Sequence, residues 1–185
     1  MGQEKEVKML RRMKGFTLIE LLIVVAIIGI LAALIVPNAN TAIQRAKMRA
    51  AQKDITTISG VIADYVTDNG TAPTQNGPYL ASSSFYTSLC PLYIKVLPLN
   101  DTWGNPYNVY CGTAVDGNYG ITESSSDDFL VSAWGKDKIN DGFIFVPTDP
   151  ELGLFAIRDK ADFNKDIVMW NGSWIRAPRT SGTGT

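Results

Sequence analysis

An α+β fold, in which one long amino-terminal α-helix packs on a small antiparallel β-sheet, is predicted by three observations. An apolar run fills residues 16–36, helical periodicity continues to residue 69, and past Gly70 the chain changes to Pro, Gly, Ser and Thr punctuated by short apolar bursts.

Residues 1–15, MGQEKEVKMLRRMKG, form a basic leader in which Lys5, Lys8, Arg11, Arg12 and Lys14 stand against Glu4 and Glu6. The composition then flips. The run FTLIELLIVVAIIGILAALIV is polar only at Thr17 and Glu20. At about 1.5 Å per helical residue it reaches roughly 30 Å, one bilayer crossing. A cleaved secretory signal has a shorter apolar core with a small-x-small site after it, whereas this run meets Pro37 and a continuing helical pattern. The leader is expected to stay in the cytoplasm with the carboxy-terminal domain outside, although Arg45, Lys47, Arg49 and Lys53 reduce the charge asymmetry.

After Pro37, the residues Ile43, Ala46, Ala50, Ile55, Ile58, Ile62 and Tyr65 recur at helical steps, which gives the stretch 38–69 one apolar face. Gly70 can take the left-handed conformation that closes a helix, and Pro73 prevents resumption. A helix over 16–69 measures roughly 80 Å, too long for a compact domain alone. Its first half (16–37) suits lipid and its second half suits the apolar face of a sheet. The strands are predicted at YNVY (107–110), FLVSAW (129–134), FIFV (143–146), LFAI (154–157) and IVMW (167–170). They place a sheet domain over 70–176, followed by a loose tail over 177–185.

Composition narrows the function. With 17 Lys+Arg against 18 Asp+Glu there is no broad basic face, and no direct nucleic-acid partner is expected. The absence of histidine removes Ser-His-Asp and Cys-His catalysis, His-ligated zinc and axial-His haem, and no nucleotide loop is visible. A membrane-tethered enzyme or binding domain is therefore the remote alternative to a structural protein. Such a tether does not need Gly15 before Phe16, nor a carboxylate at Glu20. That carboxylate would cost about 3 kcal/mol at the bilayer centre, so Glu20 either lies at interfacial depth or has a cationic partner. Cys90 and Cys111 both fall in the exported part, where a disulfide is the natural reading. Closing their loop of about 20 residues would contribute roughly 3 kcal/mol, and two free buried thiols are the alternative.

The string Lys14-Gly15-Phe16-Thr17-Leu18-Ile19-Glu20, with the apolar run and Pro37 behind it, resembles the class III signal and amino-terminal helix of the type IV pilin superfamily, the pilins and the pseudopilins of type II secretion. The resemblance implies cleavage between Gly15 and Phe16 by a prepilin peptidase on the cytoplasmic side and methylation of the new amino-terminal Phe16. It implies that Glu20 pairs with a neighbouring subunit's terminal amine. Pro37 removes one backbone donor and would loosen the helix locally, which suits assembly, a plain kink being the alternative. The resemblance also implies a homopolymer accompanied by minor pilins or pseudopilins. That polymer would be built at an inner-membrane platform among lipid, with the sheet domain in the periplasm.

A second set of strings, residues 68–74 (DNGTAPT), Leu97-Pro98 and residues 101–107 (DTWGNPY), resembles the major pseudopilin of type II secretion, with Ala72 and Thr102 departing from the usual Tyr and Pro. Trp103, Gly104 and Pro106 read as a structural turn into a strand, Gly104 permitting positive φ and Trp103 anchoring the loop. In that subfamily a calcium ion pins the loop between the last strands. The resemblance implies Asp137 and Asp166 as ligands here, with Asn140 and Asp141 in support. Residues 143–161 are inserted between the two halves, and a solvated acidic loop without metal is the alternative. The function implied is that of a structural pseudopilus subunit. A major or minor type IV pilin serving adhesion, motility or DNA uptake remains the alternative.

Overall fold

The computed structural model describes residues 15–179 and divides into two compact units at Asn40 and Thr41. Helix α1 spans Leu18–Asn69 and is assigned as helix through position 37. It starts two residues later than the apolar run because Thr17 is its cap. The Thr17 hydroxyl accepts the Glu20 amide at 3.2 Å, and the Glu20 carboxylate accepts the Thr17 amide at 2.9 Å and its hydroxyl at 2.8 Å. The helix ends as predicted, with Gly70 at φ +74 and its amide donating to the Val66 carbonyl at 2.7 Å.

In the unit ending at Asn40, the apolar side chains of α1 are exposed, from 45% at Val24 to 89% at Leu18. It is the one helix among the described residues long and apolar enough to cross a membrane.

The unit beginning at Thr41 carries the sheet. Its elements are β1 (Asn76–Pro78), α2 (Ser84–Leu89), β2 (Asn108–Cys111), β3 (Phe129–Ala133), β4 (Leu154–Phe155), β5 (Ile167–Trp170) and β6 (Ser173–Pro178), with spatial strand order β1-β2-β3-β5-β6-β4. All neighbouring strands are antiparallel except β4 and β6, which run parallel, so the sheet is mixed where an antiparallel one was expected. Met48, Ala51, Ile55, Ile58 and Ile62 of α1 pack with Val109, Val131, Ala133, Ile167 and Met169 of the sheet in one core. Burial of each large side chain there contributes roughly 1.5–3 kcal/mol. The expected face of α1 is shifted: Ile43 and Ala46 are exposed, and full burial begins at Met48.

The far face of the sheet is also covered. Leu130, Val168 and Ile175 point there into a second cluster with Val115, Tyr119 and Ile121, and Phe143, Phe145 and Trp170 pack against it. Strand β3 is consequently buried at every position, which is why its sequence FLVSA does not alternate. Residues 143–146 supply this cover as irregular chain and not as the predicted strand; the Phe145 amide donates to the Tyr119 carbonyl at 2.8 Å. Strands β1 and β6 and helix α2 have no counterpart in the sequence prediction. The start of the predicted tail is corrected too, since Ala177 and Pro178 belong to β6 and the Arg179 amide donates to the Phe155 carbonyl at 2.8 Å, while residues 180–185 lie outside the described residues.

Candidate functional site

The amino-terminal end of the described chain presents Gly15, Phe16 and Thr17 as exposed, non-helical chain ahead of α1, so the Gly15–Phe16 bond is accessible. The basic leader, residues 1–14, lies outside the described residues. Glu20 lies in the first turn of the helix on an apolar, exposed surface. Thr17 donates its amide and its hydroxyl to Glu20 Oε2 but brings no positive charge. The Glu20 charge is therefore unmatched by any partner shown in its own described chain. The side chain of Pro37 lies outside the described part of the structure.

The Trp-Gly-Asn-Pro-Tyr string forms the predicted turn, and its organiser is Asp101. Asp101 Oδ1 accepts the amides of Trp103 and Asn105, each at 2.8 Å, while Gly104 takes φ +83 and donates to the Asp101 carbonyl at 3.0 Å. Burial raises the Asp101 carboxyl above its ordinary range, opposed by these amide bonds. Around this hub the turn is tied to α1: Trp103 Nε1 donates to Gln44 Oε1 at 2.8 Å, the Thr102 hydroxyl to the Lys47 carbonyl at 3.1 Å, and the Tyr107 hydroxyl to Asp54 Oδ2 at 2.9 Å. Pro106 is exposed and forms an isolated bridge with Asn100. Asp101 and Asn105 were the missed members of this site; the Asp-x-x-Gly-Asn spacing was their signal.

The acidic loop differs from the expected ligand set. Asp137 and Asn140 are exposed, and each turns its oxygen onto its own loop: Asp137 Oδ1 accepts the Ile139 amide at 3.2 Å, and Asn140 Oδ1 the Gly142 amide at 2.8 Å. The residues brought together are Asp141 and Asp166, which exchange bonds reciprocally: the Asp141 amide donates to Asp166 Oδ2 at 3.3 Å, and the Asp166 amide to Asp141 Oδ2 at 3.2 Å. Asp166 is wholly buried and also accepts the Tyr119 hydroxyl at 2.9 Å, while its Oδ1 has no partner. Burial, and then the neighbouring Asp141 carboxylate, pushes its carboxyl up to about 7. Asp141 Oδ2 is engaged by the Arg176 guanidinium of β6. Calcium takes six to eight oxygens. Among the described residues no three His, Cys, Asp or Glu side chains gather into a set that could hold a metal. A guanidinium on one of the two paired carboxylates and a single spare oxygen on the other do not fit that ion.

The family described as the prokaryotic N-terminal methylation motif matches residues 10–36. The type II secretion system core protein G of Pseudomonas aeruginosa is 36% identical over 124 residues, covering 63% of this chain and 86% of that protein. Its Escherichia coli (strain K12) counterpart is 34% identical over 140 residues, covering 69% and 94%. The chain belongs to the type II secretion system core protein G family. The fimbrial protein EcpC of Eikenella corrodens is 44% identical over 63 residues, but these cover only 34% of this chain and 41% of that one. No solved structure matches the chain significantly. Family and methylation motif together make it a pseudopilin subunit, and the apolar half of α1 fits the anchor such a subunit needs.

In this core protein G chain Cys90 and Cys111 stand unjoined in the structure, where a disulfide was the natural expectation. Cys90 closes α2, its amide donating to the Tyr86 carbonyl at 2.8 Å, and is partly exposed. Cys111 ends β2 within the core, where burial pushes its thiol up to about 12.

Proposed function

We propose that this chain is the major structural subunit of a type II secretion pseudopilus, processed between Gly15 and Phe16 and methylated at Phe16 by a prepilin peptidase. The observation that carries the reading is Glu20, a carboxylate on an exposed apolar helix that accepts two hydrogen bonds from Thr17 on one oxygen and meets no positive charge among the described residues. A cleaved chain creates a cation four residues away in sequence, on Phe16. Stacked copies bring one subunit's amine to the next subunit's carboxylate, so burial in the helical bundle selects for that register. The chain polymerises with itself and with minor pseudopilins, on an inner-membrane platform, with residues from Thr41 onward in the periplasm. Its role is structural, not catalytic. The alternative, a surface pilin, draws on the EcpC likeness, which is confined to a third of the chain.

Mass spectrometry of filament material tests the reading: the expected chain starts at Phe16 and carries one added methyl group. Assembled protein that retains the leader overturns it.

A further inference from the structure

We infer that Arg176 serves this domain as a built-in cation, joining the loop before Phe143 to the last strands where the relatives' resemblance implied calcium. Three observations converge on its guanidinium. It pairs with Asp141, with the side chains of Arg176 and Asp141 only 14% and 19% exposed. Asp141 in turn clasps Asp166, at the start of β5, through the two reciprocal amide bonds. The guanidinium also lies 4.5 Å from the centre of the Phe143 ring and 5.7 Å from that of Phe155, within cation–π range of both.

Phe143 and Phe155 both belong to residues 143–161, the stretch that the sequence reading set apart as an insertion, and Arg176 stands on β6, which pairs with β4 and β5. The insertion thus brings the aromatic faces and β6 the charge. A planar guanidinium between ring faces retains its charge with little hydration and presents fixed donors to a carboxylate, which a flexible ammonium does less well. One cation bonded to the loop, stacked on the insertion and carried by the sheet joins the same connections that an ion would. The consequence is a pseudopilin domain whose fold does not depend on calcium in its surroundings. This goes beyond the filament reading, and it is measured on the unassembled chain, so failure of either leaves the other standing.

The test is thermal unfolding of the full chain in detergent, in excess calcium, in excess magnesium and in chelator. The wild type is expected to melt at the same temperature in all three. Arg176→Met, which keeps an apolar stem between the rings but removes the charge, is expected to melt several degrees lower in chelator. Adding Asp141→Asn to it should recover part of that loss, because the carboxylate left unpaired is then neutral. A calcium-specific rise in the wild-type midpoint overturns the inference, as does an Arg176→Met chain that melts with the wild type. If Arg176→Met does not accumulate, Asp141→Asn alone reads the same bond from its other end: a lower midpoint upholds the inference and an unchanged one overturns it.

Discussion

Asn105 donates from Nδ2 to the Gly135 carbonyl at 2.8 Å across 30 residues of sequence, and to the Trp134 carbonyl at 3.3 Å, while the same group reaches Asp101 Oδ2 at 3.1 Å. A turn read from the sequence as a local device is therefore the clamp on the chain just beyond β3. Asn105→Ala leaves Asp101 and two carbonyls without this donor in a buried setting, and the expected loss is about 2–3 kcal/mol. Urea unfolding measures it. A loss below about 0.5 kcal/mol, the range of ordinary surface changes, would show that water replaces the amide.

Glu20 has two separable duties, capping α1 and carrying charge. Glu20→Gln retains an oxygen for the Thr17 amide, whereas Glu20→Ala removes both, at a capping cost of about 1 kcal/mol. Both variants are expected to insert in the membrane and both to give little filament, since the lost charge is common to them. Filament yield after shearing decides the point; a Gln variant that assembles like the wild type would reduce Glu20 to a cap.

Asp162 supplies a pH dependence. Its Oδ2 accepts the amides of Arg158 at 2.8 Å and Asp159 at 2.9 Å, and Lys165 pairs with Oδ1 at 2.7 Å. The Asp159 amide foremost, with Lys165 next, holds the carboxyl at about 2, below its ordinary 3.8. A folded value below the unfolded one means stability present above about pH 4 and lost as pH falls through 2. Allowing for solvent screening at this partly open site, the contribution is about 1–2 kcal/mol at neutral pH. The gap between wild type and Asp162→Asn in urea unfolding should shrink steadily from pH 5 to pH 2; a gap that stays constant would mean the carboxylate's charge contributes nothing.

The cysteines are expected to differ in reactivity. A brief alkylation of the native, unreduced chain should label Cys90 and spare Cys111, and alkylation after denaturation without reductant should label both. Peptide mass mapping reads the outcome. Absence of reactive thiol in the denatured chain would establish the disulfide that the oxidising compartment suggested.

Much of the molecule was legible in its residues. The end of α1 at Asn69, the exact bounds of β5, the turn at Gly104 and the pairing of the amphipathic half-helix with a sheet follow from periodicity, glycine and apolar runs, which act over one or two turns of chain. The second cover layer was not legible, because Phe143 and Phe145 form no periodic pattern and pack as irregular chain. Strand β6 was missed for a related reason: SWIRAP carries an arginine and a proline where a buried strand is expected to be apolar.

By itself the sequence determined the division between an apolar and an amphipathic half-helix, and family membership, because length, hydropathy and short motifs are properties of neighbouring residues. Only the tertiary structure decided which acidic residues meet. Asp166 is joined by Asp141 and not by Asp137, because the strand order β5-β6-β4 brings Arg176 and the rings of Phe143 and Phe155 to that point, and the loop closes on the cation it finds there. Charges in loops carry no periodicity, so their partners are selected by long-range strand pairing and burial.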